Sequence, residues 1–557
     1  MPKPYSPMPP RRLLVALLAI TLFLPTALGQ QGSAVAHKAT ALTSAEREAA
    51  ARVDVKTIRE VTTTLAAKEM EGRGTAQPGA DKAAKYLADR FAKIGLKPLG
   101  DANTYLQAIK FKVEQVNADS SFKVGDTAFK FKDDFVVAPP LPTEPKDVSA
   151  GLVFAGYGVA SQALKRDDLA GIDIKGKIVV VLGGRPKDVD AAAWAKNASQ
   201  QAVFGNLVGK GAVGFIIIYA GRDTQPYPLV AAYLTRRRVS LADAPQLPFK
   251  LPPFLLVSDS AAEKLFAGTG ITYEQARQKA AAGEFVSRDL GKQAAISVRV
   301  RREEGMSSNV VGLLEGADAA LKEQAVVYSA HYDAYGIEAD GTIYPGAADN
   351  ALGVAKIVAI AEALAKAKPR RSIIFLALTG EEYGLLGAEY WVRRPTWALE
   401  KVAANINYDG IGTDVWGPLN FLIDYGFEHS DLGALIKDVA AANGVTIIPD
   451  PDPAERIFYR SDHYAFFKKG IPALYLIGGP AGDPAATMER ARKWLVTDYH
   501  MTTDTVQPDW NWEGARTLTV IGLIAGMRVA NQEAMPAWLP SSPYNRPRGA
   551  NSPPPAQ

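Results

Sequence analysis

The first regular pattern along the chain is a series of apolar residues at helical spacing. Between residues 53 and 70 they fall three to five positions apart, at Val53, Ile58, Val61 and Leu65. This spacing predicts an amphipathic helix, ended by Gly72-Arg73-Gly74, and a second such pattern covers residues 80–94 and closes at Gly95. We expect both helices to bury their apolar faces against a later part of the chain.

Shorter apolar runs follow, and their spacing is that of strands. Residues 105–137 alternate between apolar and polar positions, which predicts a strand-rich segment. After Pro139-Pro140, four strand-like runs are separated by Gly, Pro and polar residues: 152–159, 177–182, 214–219 and 254–257. The simplest interpretation is a self-contained β-rich insert.

Strand and helix patterns alternate regularly from Ser307 onward. Candidate strands cover residues 309–314, 325–329, 372–377, 402–408 and 471–476. Candidate helices cover residues 353–367, 383–393, 431–442 and 512–530. This alternation predicts a mostly parallel sheet between layers of helices, in which functional sites collect at the carboxyl ends of the strands.

These patterns predict an α/β protein with a mostly parallel mixed sheet sandwiched by helices and a β-rich inserted domain. We assign residues 45–137 to the first segment of the main domain, 138–290 to the insert and 291–535 to the catalytic segment. Residues 536–557 contain seven prolines and are predicted to form a disordered tail.

Residues 1–29 have the pattern of a secretory signal peptide. Arg11-Arg12 precede the apolar run 13–24, and Ala27-Leu28-Gly29 supply small residues for cleavage. The run is too short to cross a hydrocarbon core, which needs about 20 residues. We therefore expect cleavage near Gly29, a secreted or periplasmic protein, and no stable membrane anchor.

Charge and cysteine content narrow the possible chemistry. Loss of residues 1–29 would remove Lys3, Arg11 and Arg12 and lower the formal charge from +4 to +1, so we expect no nucleic-acid partner. The chain has no cysteine, which excludes disulfides, thiol catalysis and thiolate metal ligands. Any metal ion must be held by His, Asp or Glu side chains.

Polar residues suited to metal binding follow the candidate strands. They are His331, Glu381, Glu382 and Asp409, with Asp349 in a Gly-rich turn and His500 near the last helix. Each of them alone would be read as an ordinary surface or turn residue. Together, at strand ends that meet at one edge of a sheet, they predict a metal centre whose imidazole and carboxylate ligands suit zinc.

Five ligands can serve two metal ions if one carboxylate bridges them. Two ions about 3.5–4 Å apart can polarise a substrate oxygen and hold a hydroxide. Because neighbouring side chains diverge, one of the pair Glu381 and Glu382 can bind metal while the other acts as general base. Asp333, two residues after His331, is placed to accept the imidazole proton.

The same motifs resemble those of the M28 peptidases, the co-catalytic zinc aminopeptidases. The resemblance is carried by His331-Tyr332-Asp333, the stretch 346–353, Thr379-Gly380-Glu381-Glu382-Tyr383-Gly384, Asn407-Tyr408-Asp409, Ser461-Asp462-His463 and Tyr499-His500. It implies an enzyme with two Zn²⁺ per chain that removes residues from peptides with a free N-terminus. The exopeptidase direction is implied by the resemblance alone.

The resemblance also implies a role for each residue. His331 and Asp409 would bind one zinc, Glu382 and His500 the other, and Asp349 would bridge them. Glu381 would be the general base that activates the bridging hydroxide. It further implies a cis peptide bond between Asp349 and Asn350.

Weaker motifs in the insert are similar to a protease-associated (PA) domain. They are Phe154-Ala155-Gly156-Tyr157-Gly158, Lys175-Gly176-Lys177-Ile178-Val179 and Gly211-Ala212-Val213-Gly214. A generic β scaffold would carry the same turns and buried strands.

Several alternatives stay open at the level of sequence. A carboxypeptidase or another amide hydrolase could use the same scaffold, and a non-catalytic receptor could share the fold, although such a protein would be expected to lose ligands or the base. Tyr459 is a candidate donor to the oxyanion of the transition state. The sequence gives no oligomeric state.

Overall fold

The computed structural model describes residues 40–220, 226–245, 251–284, 286–480 and 482–550. The predicted signal peptide and residues 551–557 lie outside this range. The chain divides into two compact units: Met1–Ile109 with Met306–Gln557, and Lys110–Gly305. Among the described residues, no helix is both long enough and apolar enough to cross a membrane.

The first unit is built on a mixed sheet with a parallel core. Four of its strands run parallel, in the spatial order Ser372–Leu378, Ala325–His331, Val402–Asn407 and Ala473–Tyr475. The strand Val300–Leu314 pairs antiparallel with Ser372–Leu378 and in turn with Lys97–Pro98. The predicted α/β sheet is therefore confirmed, including its parallel core.

Helices cover both faces of this sheet. The described helices of the unit are Ser44–Ala51, Val55–Leu65, Pro78–Ile94, Leu352–Leu364, Leu386–Arg393, Leu432–Ala442, His463–Lys468, Pro484–Thr497 and Trp512–Asn531. The first predicted helix ends at Leu65, and a short 3-10 segment, Lys68–Arg73, follows it. Leu352–Leu364 is apolar on nearly all sides because it lies between the sheet and other helices.

Two smaller sheets complete this unit. Leu419–Asp424 pairs parallel with Thr446–Pro449 and antiparallel with Gly478–Pro480. Gly336–Ile337 pairs with Ile343–Tyr344 in the loop that follows the strand Ala325–His331.

The second unit contains an eight-stranded sheet. Its strand order is Thr127–Phe129, Ser121–Val124, Arg288–Val298, Lys146–Phe154, Ile178–Leu182, Gly214–Ile218, Phe254–Val257 and Phe135–Val137. A further strand, Arg238–Leu241, pairs antiparallel with residues 111–114 of the strand Leu106–Val116, and Ala160–Ser161 pairs with Arg166–Asp167. Among the described residues of this unit, five helices accompany the strands, so it is richer in helix than predicted: Ala191–Asn197, Gln200–Gly209, Tyr227–Thr235, Asp259–Phe266 and Tyr273–Ala281.

The boundaries of this unit differ from the predicted insert. The prediction placed it at residues 138–290, whereas the compact unit runs from Lys110 to Gly305. The strand Arg288–Val298 pairs with both Ser121–Val124 and Lys146–Phe154. Pairing between strands so far apart in sequence cannot be recognised from the local pattern of residues. Because of this pairing, the segments before residue 138 and after residue 290 belong to the unit.

The prediction of a disordered tail is wrong for residues 536–550. Tyr544 is fully buried, and the Trp538 indole donates a hydrogen bond of 2.9 Å to the carbonyl oxygen of Gly470. Arg548 donates to the carbonyl oxygen of Val402 at 2.9 Å. The proline content gave no indication that Trp538, Tyr544 and Arg548 anchor this segment to the main unit.

Candidate metal centre

Four of the predicted site residues lie at the carboxyl ends of neighbouring strands. His331 is the last residue of its strand, Glu381 and Glu382 follow Ser372–Leu378, and Asp409 follows Val402–Asn407. Because these strands are parallel neighbours, their ends meet at one edge of the sheet.

Asp349 lies between the two histidines. One carboxylate oxygen, Oδ1, is 3.2 Å from His331 Nε2, and the other, Oδ2, is 3.3 Å from His500 Nε2. Asp349 comes from the turn before the helix Leu352–Leu364, and its peptide bond to Asn350 is cis, as the resemblance implied. This carboxylate thus links two halves of one cluster.

The remaining carboxylates divide between the two histidines. Asp409 Oδ1 is 3.2 Å and Glu381 Oε2 is 3.7 Å from His331 Nε2, whereas Glu382 Oε2 is 3.0 Å from His500 Nε2. The potential ligand atoms of His331, Glu381 and Asp409 lie within 4.8 Å of one another, and so do those of Asp349, Glu382 and His500. The structure therefore brings together all six residues predicted to bind metal or act as base.

The spacing of these donors fits zinc. Ligands about 2.0–2.2 Å from a tetrahedral zinc ion are about 3.3–3.5 Å from one another. Most of the nitrogen–oxygen distances in the cluster fall close to that range, and its donors are imidazole nitrogens and carboxylate oxygens. The residues present thus fit the ion that their chemistry predicts.

The ionisable groups of the cluster shift one another's pKa values. Burial lowers the pKa of His500, but Glu382 and Asp349 outweigh burial and raise it to about 9. Burial raises the pKa of Glu381 well above its usual range, and the neighbouring carboxylate of Asp409 adds to this effect. So many acidic groups around two imidazoles favour any cation that enters the cluster.

Asp333 lies behind His331, although in a different role from the one predicted. His331 Nδ1 is 3.2 Å from the carbonyl oxygen of Asp333 and 3.6 Å from its carboxylate. The carboxylate instead accepts hydrogen bonds from the backbone N–H of Glu381 at 3.2 Å and from the Thr75 hydroxyl at 2.9 Å. Asp333 therefore joins the chain segments that carry His331 and Glu381.

Two buried networks that the sequence pattern did not indicate hold the other ligands. The Ser461 hydroxyl donates to Asp409 Oδ2 at 2.5 Å, and the Asn407 amide donates to Ser461 at 2.8 Å. The carboxylate of Asp504 accepts the backbone N–H groups of Ala348 and Asp349 at 2.8 and 3.1 Å. These partners lie far from the ligands in sequence, so local spacing could not reveal them.

Tyr459 lies in a separate aromatic group. Its ring packs on Phe458 and Tyr464, with centroids 5.0 and 5.1 Å apart, and Arg456 lies over its face. Tyr499 stacks on His500 instead, with ring centroids 3.5 Å apart. Its position directly before His500 in the sequence was the only signal of this proximity.

The cluster offers imidazole and carboxylate donors for metal ions at one edge of an α/β sheet. The model of Peptidase family M28 matches residues 309–523, the segment that carries all six cluster residues. Residues 309–523 are therefore similar to peptidase family M28.

Curated relatives match parts of this chain. A probable glutamate carboxypeptidase, LAMP1, of Arabidopsis thaliana is 29% identical over 255 residues, 41% of this chain and 33% of the relative. A probable leucine aminopeptidase 2 of Aspergillus oryzae is 27% identical over 217 residues, 37% of this chain and 40% of the relative. The chain thus spans well under half the length of these curated relatives.

Solved structures match the fold over most of the chain. An aminopeptidase from Aneurinibacillus sp. strain AM-1 has a TM-score of 0.58 at 19% identity, covering 88% of this chain and 97% of that one. BSAP, a zinc aminopeptidase from Bacillus subtilis, has a TM-score of 0.53 at 19% identity, covering 86% and 96%. At such identities the likeness establishes the fold.

Proposed function

We propose that this protein is a zinc-dependent aminopeptidase that hydrolyses the peptide bond next to a free amino terminus. The observation that carries the proposal is the placement of Asp349, whose two oxygens each face a different histidine at 3.2 and 3.3 Å. A carboxylate shared by two nitrogen donors is the arrangement that a bridged pair of metal ions requires. The names of the solved structures with the same fold support the aminopeptidase activity.

The donor set divides into ligands for two zinc ions. His331 and Asp409 would hold one ion, Glu382 and His500 the other, and Asp349 would contribute an oxygen to each. When bound, the ions would polarise the substrate carbonyl and lower the pKa of a water molecule.

Glu381 is the proposed general base. Its carboxylate lies 3.7 Å from His331 Nε2, and burial raises its pKa well above its usual range. A carboxylate at this position can take a proton from the attacking water and return it to the leaving amide nitrogen. Its neighbour Glu382 faces His500, so the two adjacent side chains perform different tasks.

Tyr499 is better placed than Tyr459 to polarise the substrate carbonyl. Tyr499 stacks on His500, and burial raises the pKa of its hydroxyl well above the usual range, so that the group stays protonated. A protonated hydroxyl at the edge of the cluster can donate to the oxygen that becomes negative in the transition state.

The location of the enzyme is part of the proposal. Residues 1–29 have the composition of a cleaved signal peptide, so we propose that the mature enzyme acts on peptides outside the cytoplasm. Sequencing the amino terminus of the exported protein tests this: a start close to Gln30 supports the proposal, and an intact Met1 contradicts it.

The activity is tested with a panel of aminoacyl amides that are either unblocked or acetylated at the amino group. The proposal expects release of the fluorophore only from the unblocked amides, loss of turnover after chelation and recovery with zinc. Turnover of peptides blocked at the amino end but free at the carboxyl end would instead establish a carboxypeptidase. A chain that binds no metal would contradict the enzymatic proposal and favour a binding protein.

A further inference from the structure

The segment Gly72–Gln77 contacts the loops that carry His331 and Asp349. Arg73 and Thr75 are fully buried in it. Gly72 has φ +64°, and a Cβ there would lie 2.5 Å from the carbonyl oxygen of Tyr344 and 2.6 Å from that of Gly336. Only glycine allows so close an approach, and it brings the next side chain into the interior.

Arg73 donates to four backbone carbonyl groups. Its Nε donates to Tyr332 at 2.5 Å, and its two terminal nitrogens donate to Leu65 at 2.5 Å, Pro345 at 2.6 Å and Gly346 at 2.8 Å. Besides Leu65, the planar guanidinium thus joins two chain segments, one at Tyr332 and the other at Pro345-Gly346. Lysine has only a single ammonium group and could not reproduce this fork.

Both of those segments carry proposed metal ligands. Tyr332 directly follows His331, and Gly346 begins the turn that ends at Asp349. A displacement of either carbonyl would move the adjoining ligand, because only one to three residues separate them. Arg73 therefore sets the distance between His331 and Asp349 from below.

Thr75 is connected to the general base Glu381 through Asp333. Its hydroxyl donates to Asp333 Oδ2 at 2.9 Å, and Asp333 Oδ1 accepts the backbone N–H of Glu381 at 3.2 Å. One hydroxyl thus orients the carboxylate that ties the turn of Glu381 to the strand end of His331.

The charge of Arg73 suits this position. Burial lowers its pKa to about 10, while the carboxylates of Asp504, Asp333, Glu382 and Asp349 oppose that decrease. The guanidinium is therefore charged at neutral pH and offsets part of the negative charge of the cluster.

We propose that Arg73 and Thr75 are positioning residues of the metal centre: from the segment Gly72–Gln77 they fix the zinc ligands His331 and Asp349, and with them the base Glu381. The inference rests on the proposed function, since it requires that the cluster holds metal. Neither side chain touches the substrate in this account. Both act through the backbone or the carboxylate of a neighbour.

The test compares Arg73→Met with Arg371→Met in the full chain. Arg371 is also a fully buried arginine, and it donates to the carbonyl oxygens of Val529 and Glu533 at 2.9 and 2.8 Å, away from the cluster. Zinc affinity is measured by competition with a chromophoric chelator, and the stability of the zinc-free protein by urea unfolding. Both variants are expected to lose stability, but only Arg73→Met should lose zinc affinity, by roughly 10–100-fold.

Equal zinc affinity in Arg73→Met and the wild type, or an equal loss in both arginine variants, would overturn the inference. If Arg73→Met does not fold, Thr75→Val provides the decisive comparison, with Thr57→Val as its control. Thr57 is also buried, and its hydroxyl donates to Glu362 at 2.7 Å. Asp333, which accepts the Thr75 hydroxyl, also lies 3.2 Å from Nδ1 of the zinc ligand His331 through its carbonyl oxygen. Thr75→Val should therefore weaken zinc binding on the order of 10-fold and Thr57→Val should not; no difference between them would again overturn the inference. A wild type without zinc would contradict the proposed function itself.

Discussion

The Ser461 hydroxyl donates a hydrogen bond of 2.5 Å to Oδ2 of Asp409, which leaves Oδ1 of the same carboxylate facing His331 Nε2 at 3.2 Å. This contact selects the oxygen that faces the metal centre. We therefore expect Ser461→Ala to lower zinc affinity on the order of 10-fold without abolishing the fold. Titration with a competing chelator measures this, and unchanged zinc affinity would show that the hydroxyl does not orient Asp409.

Glu381→Gln separates proton transfer from metal binding. The amide keeps the shape of the side chain but cannot accept a proton, so kcat should fall by roughly 10²–10⁴-fold. The zinc content of the variant should stay that of the wild type, because Glu381 is not among the proposed ligands. A variant that keeps kcat, or that loses its zinc, would contradict the assignment of Glu381 as base.

His463 should make stability sensitive to acid. It is fully buried against Tyr475, with ring centroids 4.5 Å apart, and burial lowers its pKa to about 3. Because the unfolded state binds a proton near pH 6.5 and the folded state does not, stability falls as the pH decreases from 6.5 towards 3. Between pH 7 and pH 5, the free energy of unfolding of the wild type should fall by about 2 kcal/mol more than that of His463→Phe.

Urea unfolding of the metal-free protein at the two pH values measures this difference. Metal-free protein is required because zinc dissociates in acid and would add its own pH dependence. An identical pH dependence in wild type and variant would show that His463 becomes protonated in the folded protein.

The carboxyl-terminal segment 536–550 should stabilise the main unit. Tyr544 is fully buried, and its ring packs on Phe467 and His429 with centroids 5.1 Å away in each case. Tyr544→Ala should therefore lower the free energy of unfolding by about 3–5 kcal/mol. Leu539→Ala is the control, because Leu539 is 39% exposed and its loss should cost little. Equal stability of the two variants would contradict the packing described for this segment.

The sequence predicted the parts of the structure that depend on local pattern. Strands and helices alternate along the catalytic segment, and parallel strand ends must meet, so His331 and Asp409 could be placed at one edge in advance. Arg73 could not be connected to the site, because its partner Tyr332 lies 259 residues away and the intervening chain contains an entire second unit. Side-chain contacts over such separations produce no repeating pattern in the sequence, so they cannot be predicted from it.

The two differences in domain organisation have the same physical origin. The compact unit begins before residue 138 because the strand Ser121–Val124 pairs with Arg288–Val298. The tail was expected to be disordered because proline content dominates its composition, whereas Tyr544 and Arg548 anchor it. In each case a distant partner outweighed the local signal.

The most direct measurement is the number of zinc ions bound per chain by the wild type and by Asp349→Ala, determined by mass spectrometry of the intact protein and by elemental analysis. If Asp349 joins two ions, the wild type binds two and the variant loses affinity for both together. A wild type with a single zinc that Asp349→Ala retains would contradict the bridged centre on which the proposed function is built.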